Sequence, residues 1–421
     1  MPIMLSVDFV CQHPQIIYEA LRKRGETRSI DDILRVAELR RSLIAQIDSL
    51  YASLKDLKEQ VRTIPVVERA ERNLQIKTMM QDIRRLELQR SDVDTRLQLQ
   101  LQSLPNLPHQ SVHEGDDQVV STWGQPTSFH FDPLPHWELG SRLEIVDAES
   151  GAKIAGSRFV TLRGAGARLE RALISFMLDV HTREHGYTEI MPPELVKRSV
   201  MVAAGQLPKF EDQAYVCSAD ELYLNPTAEV PLLGLHSDSM LSADVLPLRY
   251  VAWTTAFRRE AGSASRQTRG LLRLHQFNKV ELFQIVVPAD SSVAFEQMQE
   301  HAKAILQQLE LPYRVVALNA ANLPFASART IDLEVWMPGL KSYVEVSSMS
   351  NCEAFQAYRS NLKYRAEKSV HAEYVHTLNA SGLAVGRTMA AILETYQQAN
   401  GSIIIPKVLR PYMGISLLSP P

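Results

Sequence analysis

Three cysteines in 421 residues (Cys11, Cys217 and Cys352), far apart and without a CxxC pair, exclude a disulfide scaffold. They predict no structural zinc and suit a reducing compartment. No run of about 18 apolar residues occurs, so no segment reads as membrane-spanning. The start, MPIMLSVDFVCQHPQ, lacks both a basic region before an apolar core and an Arg-rich, acid-poor presequence. A cytoplasmic protein is expected. GxGxxG and GxxxxGK are absent, as are internal repeats, so any nucleotide site must be built without a phosphate-cradling glycine loop. The net charge of −3 excludes a chain that coats nucleic acid indiscriminately, although a local basic surface is not excluded. Between residues 30 and 104 there is no glycine and a single proline, Pro65.

That stretch carries its own pattern. Leu43, Ile47, Leu50, Leu54, Leu57, Val61 and Ile64 alternate steps of four and three. After Pro65 the pattern resumes at Ile76, Met79, Ile83, Leu86, Val93 and Leu97, with Arg90 in one seam position. Such spacing predicts two helices, about 30–64 and 68–104, folded back as an antiparallel coiled coil, each on the order of 50 Å long. Lys and Arg nearly balance Asp and Glu along it, so charge does not decide between a dimerisation rod, a spacer and a ligand-reading arm. The proline-rich LPNLPHQSVHEGDD marks a boundary, giving domains 1–108 and 109–421.

The second domain interleaves helical patterns with β-like runs and shows no βαβ repeat, which predicts an α+β fold on a mainly antiparallel sheet. Its most informative segment is AFRREAGSASRQTRGLLRLHQFNKVE. Five arginines and a lysine (Arg258, Arg259, Arg266, Arg269, Arg273, Lys279) surround Gly262 and Gly270, between LPLRYVAWTTAF and HQFNKVELFQIVV. It reads as strand, basic loop and returning strand, and arginine forks suit phosphate oxygens. Further on, NASGLAVGRT reads as a glycine-punctuated turn (Asn379 to Gly386) feeding a helix with Arg387 near its start, a natural anion seat. SYVEVSSMSNCEAFQ reads as a strand with Glu345 and Ser347 on one face and Val346 on the other. A carboxylate there suits a divalent cation bridging phosphates. In LYLNPTAEVPL, Thr227 and Glu229 sit two apart, able to point the same way from a strand.

Together these clusters resemble the seryl-tRNA synthetase family, a class II aminoacyl-tRNA synthetase family, over essentially the whole chain. HGYTEIMPPELV resembles motif 1 (about 164–193), the FRREAGS…VE segment motif 2 (about 250–283), and NASGLAVGRT with its helix motif 3 (about 375–398). PTAEVPL resembles the serine-pocket TxE element and EVSSMSNCEAFQ the loop near ATP. The resemblance implies activation of L-serine by ATP to seryl-adenylate, then transfer to the 3′ end of tRNA(Ser), with tRNA(Sec) as a further acceptor to be tested. It implies catalytic Arg258, Arg387 and Glu345, and an ATP site of these with Arg259, Glu260, Phe277, Val346, Ser347 and Ser348. It also implies a serine pocket of Thr227, Ala228, Glu229, Glu281 and Ser381, and Mg²⁺ on Glu345 and Ser348. Partners would be tRNA(Ser) through the arm and a second copy through motif 1. A duplicated copy serving antibiotic self-resistance, a ligase loading a non-tRNA acceptor, and an inactive coiled-coil binding protein are the competing readings.

Overall fold

Apolar steps of three and four can be buried only against another helix, and the computed structural model buries them in that way. It describes residues 5–63, 65, 68–261, 269–366 and 371–421; Ile64 of the seam and Gly262 and Arg266 of the basic loop lie outside them. The chain divides into two compact units, Met1–Pro105 and Asn106–Pro421.

In the first unit, α1 (Asp31–Thr63) and α2 (Arg69–Gln102) pack along each other. Leu43, Ile47 and Leu86 form a buried cluster lined by Leu50 and Val93. Cross-links join Asp32 to Arg96 at 2.7 Å and Tyr51 to Glu87 at 2.8 Å; the α2 partner moves back as α1 advances, so the pair is antiparallel. Arg90, the polar residue in the seam, lies 3.7 Å from Asp94, which Arg40 also reaches. These ions are partly exposed and contribute little stability, about 0–1 kcal/mol each. The apolar seam dominates.

The second unit is built on an eight-stranded sheet. Its elements are β1 (Gln118–Trp123), α3 (Ala165–Arg183), β2 (Thr188–Glu189), α4 (Glu229–Gly234), β3 (Leu248–Phe257), β4 (Gln276–Val286) and α5 (Ser291–Gln308). They continue with β5 (Tyr313–Ala317), β6 (Arg329–Met337), β7 (Ser342–Glu353), β8 (His376–Ala384) and α6 (Val385–Thr395). The sheet order is β1-β5-β6-β7-β8-β4-β3-β2, and every pair is antiparallel except β2 with β3. β4 is central and buried on both faces, which explains why VELFQIVV is almost continuously apolar. Its Val280, Leu282 and Val286 join a core filled by α3, α5 and α6; Phe283 and Ile285 join a second core around Met201, Leu232 and Leu233. No described helix is long and apolar enough to cross a membrane.

Three local expectations require correction. Thr227 and Glu229 are not on a strand: the strand ends at Leu224, Pro226 cannot donate to a ladder, and Glu229 opens α4. Asn379 to Ala384 is not a turn but the second half of β8, hydrogen-bonded between β4 and β7. Gly382 serves close packing there, since a Cβ would lie 2.9 Å from Nε2 of His181. Finally, the β6–β7 register slips between the pairs Leu333–Ser347 and Glu334–Glu345. The bulge breaks alternation at Val346, so Glu345 shares its face with Ser348 and not with Ser347.

Ile47→Ala tests the seam. Loss of a buried branched side chain should cost about 2–5 kcal/mol. In urea unfolding followed by circular dichroism, the transition of the arm helices should move to lower denaturant while that of the sheet unit stays in place. An unmoved first transition would show that the seam does not hold the arm.

Candidate active site

β4 sets the centre of the site. Its register places Glu281 between Ala252 of β3 and Ser381 of β8, at the floor of a cavity of about 560 Å³. A carboxylate buried there needs compensation. Lys279, two residues away on the same strand face, supplies an ammonium in direct contact, and the Thr227 hydroxyl donates to Oε2 at 3.1 Å. Lys279 also reaches the Thr227 oxygen at 3.1 Å. Burial nevertheless pushes the Glu281 carboxyl up to about 7; Lys279 opposes the rise and the Glu229 carboxylate adds to it. The other oxygen, Oε1, is buried without a donor among the described residues.

Glu229, also buried, accepts from Nε2 of Gln356 at 2.5 Å, while Thr377 donates to the Gln356 oxygen at 2.7 Å. Burial raises its pKa; Gln356, the Lys279 charge and an amide hydrogen bond from Asn379 counter that. Asn379 lines the cavity, and its Oδ1 is a second buried acceptor without a donor among the described residues. This end of the cavity is thus rich in oxygen acceptors and suits a small cation carrying several N–H or O–H donors.

Two guanidiniums line the same cavity. Arg258 follows directly on β3; its Nε donates to the Pro226 carbonyl at 3.3 Å, and its guanidinium lies 5.3 Å from the Phe277 ring centre. Arg387, in the first turn of α6, donates from Nε to the Leu272 carbonyl at 3.2 Å and from Nη1 to the Glu345 carbonyl at 2.9 Å. Its Nη1 also lies 3.2 Å from the Glu345 carboxylate. Burial, then the Arg387 charge, lowers the Arg258 pKa, so the two guanidiniums repel across the cavity. An anion between them would relieve both. Glu260, in a left-handed conformation (φ 47°), turns its carboxylate to Arg273 and also lines the cavity.

Thr227, Glu229, Arg258, Glu260, Phe277 and Glu281 thus meet Glu345, Ser348, Ser381 and Arg387 around one cavity. Four expected residues do not line it. Arg259 is exposed and donates to the Asp212 carbonyl at 3.3 Å; Ala228 and Val346 are buried in the cores. Ser347 is buried beneath the wall, its hydroxyl donating to the Ser381 carbonyl at 2.6 Å. Arg269 is exposed and also apart from the cavity. Lys279, Asn379, Gln356 and Asp332 were missed as functional residues. Lys279 was legible from its i,i+2 spacing to Glu281, whereas Gln356 becomes relevant only through a contact spanning 127 positions.

Oxygen donors suited to a hard divalent cation lie on one side: the Glu345 carboxylate, the Ser348 hydroxyl and, behind them, Asp332 hydrogen-bonded to Ser348. Asp332 Oδ1 finds no donor among the described residues, and burial followed by the neighbouring Glu345 carboxylate pushes its pKa up to about 8. A cation there would relieve that repulsion, so the residues fit Mg²⁺.

Comparison with known proteins gives a consistent result. Residues 4–108 match the seryl-tRNA synthetase N-terminal domain and residues 210–396 the tRNA synthetase class II core domain (G, H, P, S and T). The chain is 48% identical over 428 residues to a serine–tRNA ligase of Geobacillus kaustophilus, covering 98% of this chain and 99% of that protein. It superposes on seryl-tRNA synthetase from Pyrococcus horikoshii complexed with ATP with a TM-score of 0.92 and 33% identity, over 99% of this chain and 100% of that one. The cytoplasmic serine–tRNA ligase of Naegleria fowleri in complex with AMP gives a TM-score of 0.83 and 28% identity, over 99% of this chain and 98% of that one.

The raised Glu281 carboxyl has a measurable sign. Because its folded value of about 7 lies above the ordinary 4.5, the stability it lends is full below pH 4.5 and lost as pH climbs through 7. Without ligands, the melting temperature of wild type should fall more steeply between pH 4.5 and 8 than that of Glu281→Gln, which cannot ionise. Parallel curves would contradict the shift.

Proposed function

The chain belongs to the seryl-tRNA synthetase family, and we propose that this cavity performs the serine–tRNA ligase reaction, with the carboxylates of Glu229 and Glu281 holding serine and the guanidiniums of Arg258 and Arg387 holding ATP. The observation that carries the assignment is that buried carboxylates, Glu229 and Glu281, and two guanidiniums, Arg258 and Arg387, line a single cavity of about 560 Å³. Serine offers an ammonium and a hydroxyl to the carboxylates, and ATP offers phosphates to the guanidiniums.

In the first step a serine carboxylate oxygen bonds to the α-phosphorus of ATP, the bond to the bridging oxygen breaks, and pyrophosphate leaves. No covalent protein nucleophile is needed; orientation and positive charge suffice. Arg258 lies where it can span the carboxylate and the α-phosphate. Phe277 offers its face to the adenine, Glu260 its edge contacts, and Arg387 holds the terminal phosphate. Thr227 and Glu229 receive the α-ammonium, while Glu281 and Ser381 receive the hydroxyl, joined by the acceptor of Asn379. Glu345 and Ser348 would hold Mg²⁺, which when bound supplies charge neutralisation on the phosphates. In the second step the 3′-terminal hydroxyl of tRNA attacks the acyl carbon, losing its proton as AMP departs. A pocket that hydrogen-bonds a hydroxyl discriminates against the analogue lacking it by about 10⁴–10⁵, which suits rejection of alanine.

The arm is assigned to tRNA(Ser), with Lys55, Lys58, Arg62 and Arg84 exposed along it to meet phosphates. Self-association is assigned to the motif 1 segment, which includes α3. Three free cysteines suit the reducing cytoplasm. Competing readings as an inactive binding protein are disfavoured by the retention of Arg258, Glu345 and Arg387.

Glu281→Ala should abolish serine-dependent ATP–pyrophosphate exchange; wild-type exchange in that variant would remove the pocket assignment. Deleting residues 35–100 should leave exchange within a few-fold of wild type and depress charging of tRNA(Ser), and charging by the deletion variant should depend less steeply on salt than charging by wild type. Equal losses in both assays would detach the arm from tRNA recognition.

A further inference from the structure

His136 is a fully buried titratable group that the chemistry above leaves without a task. Its backbone N–H and its ring both meet Oε1 of Glu394, at 2.9 Å and 2.7 Å. On the other side of the ring, the backbone N–H of Leu271 donates to Nε2 at 3.2 Å. A backbone amide can only donate, so Nε2 must accept, the ring proton sits on Nδ1, and it is donated to Glu394. One imidazole therefore joins two parts of the ATP site. Glu394 belongs to α6, the helix that carries Arg387, and Leu271 opens the limb on which the basic loop returns to β4.

The fit is close on every side. Leu134 exchanges two hydrogen bonds with Gln397, at 2.8 and 3.0 Å, which fixes the segment leading to His136. Oε2 of Glu394 accepts from the N–H groups of Gly339 and Leu340 at 2.8 and 3.3 Å, locking the carboxylate that orients the ring. Gly270 has a φ of +68°, and a Cβ there would lie 2.2 Å from Nε2 of His136. Immediately beyond, the Leu272 carbonyl receives Nε of Arg387 at 3.2 Å.

We propose that His136 is a positioning residue of the ATP site: by tying Leu271 to Glu394 it holds the loop's returning limb on α6, and so fixes the Leu272 carbonyl on which Arg387 rests. This rests on the assignment of Arg387 to the nucleotide. Serine-side groups are held by other contacts, Thr227 and Lys279 on Glu281 and Gln356 on Glu229, so the anchor acts on ATP selectively.

Two substitutions separate anchoring from mere packing. In His136→Asn the shorter amide reaches the place of Nδ1 and can donate to Glu394, but leaves the buried Leu271 N–H without an acceptor. In His136→Gln the amide oxygen extends to the place of Nε2. In ATP–pyrophosphate exchange, His136→Asn should raise the KM for ATP roughly tenfold or more, the scale of one unsatisfied buried donor, with the KM for serine within about threefold of wild type. His136→Gln should return the KM for ATP to within about threefold. In an Arg387→Ala background the His136→Asn effect on ATP should largely vanish, because both act through one contact. Gly270→Ala attacks the same contact from the loop side while leaving the His136–Glu394 pair in place, and should show the same selectivity for ATP; it carries the test if His136→Asn does not fold. An unchanged KM for ATP in the folded His136→Asn or Gly270→Ala variant, or equal rises for ATP and serine, would overturn the proposal. A wild-type protein without serine-dependent exchange would instead overturn the site assignment beneath it.

Discussion

The pairing of β4 with β3 on one side and β8 on the other is the constraint on which the site depends. It forces a carboxylate, Glu281, into the middle of a strand buried on both faces. Isolated, that charge would be too costly to keep. The same strand supplies Lys279 to the same face, and the turn after Leu224 brings the Thr227 hydroxyl against it. The compensation is incomplete, as the raised pKa and the donorless Oε1 record. A polar ligand with donors completes it, which is how a strained electrostatic arrangement becomes a selective pocket.

The cavity holds charges of both signs. Glu229, Glu281 and Asn379 line it together with Arg258 and Arg387, and Glu345 touches Arg387. Like charges act on each other within it: the Glu229 carboxylate adds to the rise of Glu281, and the Arg387 charge adds to the lowering of Arg258. Such self-repulsion is tolerated where substrate charges of opposite sign relieve it in the bound state. Hydrogen bonds beneath the wall tie its elements together. Ser347 pins β7 to the Ser381 carbonyl, and Gln356 spans from Glu229 to Thr377.

Much of this was legible along the chain, and the failures share one origin. The seam of α1 and α2 followed from periodicity because a coiled coil is a local, repeating solution: Leu43, Ile47 and Leu86 are buried as spacing requires. The two strands around the basic loop were legible from their apolar runs and the glycines between. Asn379 to Gly386 misled, because glycines that look like turn signals serve instead to let β8 pass close to His181. Ser347 misled because a bulge is set by pairing with β6, not by the residues of β7. Thr227 and Glu229 have the right chemistry on the wrong element, since Pro226 ends the ladder before them.

Sequence alone determined the chemical vocabulary: two motif arginines, the acids at 229, 281 and 345, an aromatic face at 277, and an arm with a heptad seam. These are properties of residue type and short-range spacing. Only the tertiary structure decided which of them face one another. Register across β3, β4, β8 and β7 joins residues more than a hundred positions apart, and a single slip or bulge turns a side chain from cavity to core. That is why Ser348 and not Ser347 reaches the cavity, and why His136, unremarkable as a letter, stands between the returning limb of the basic loop and α6.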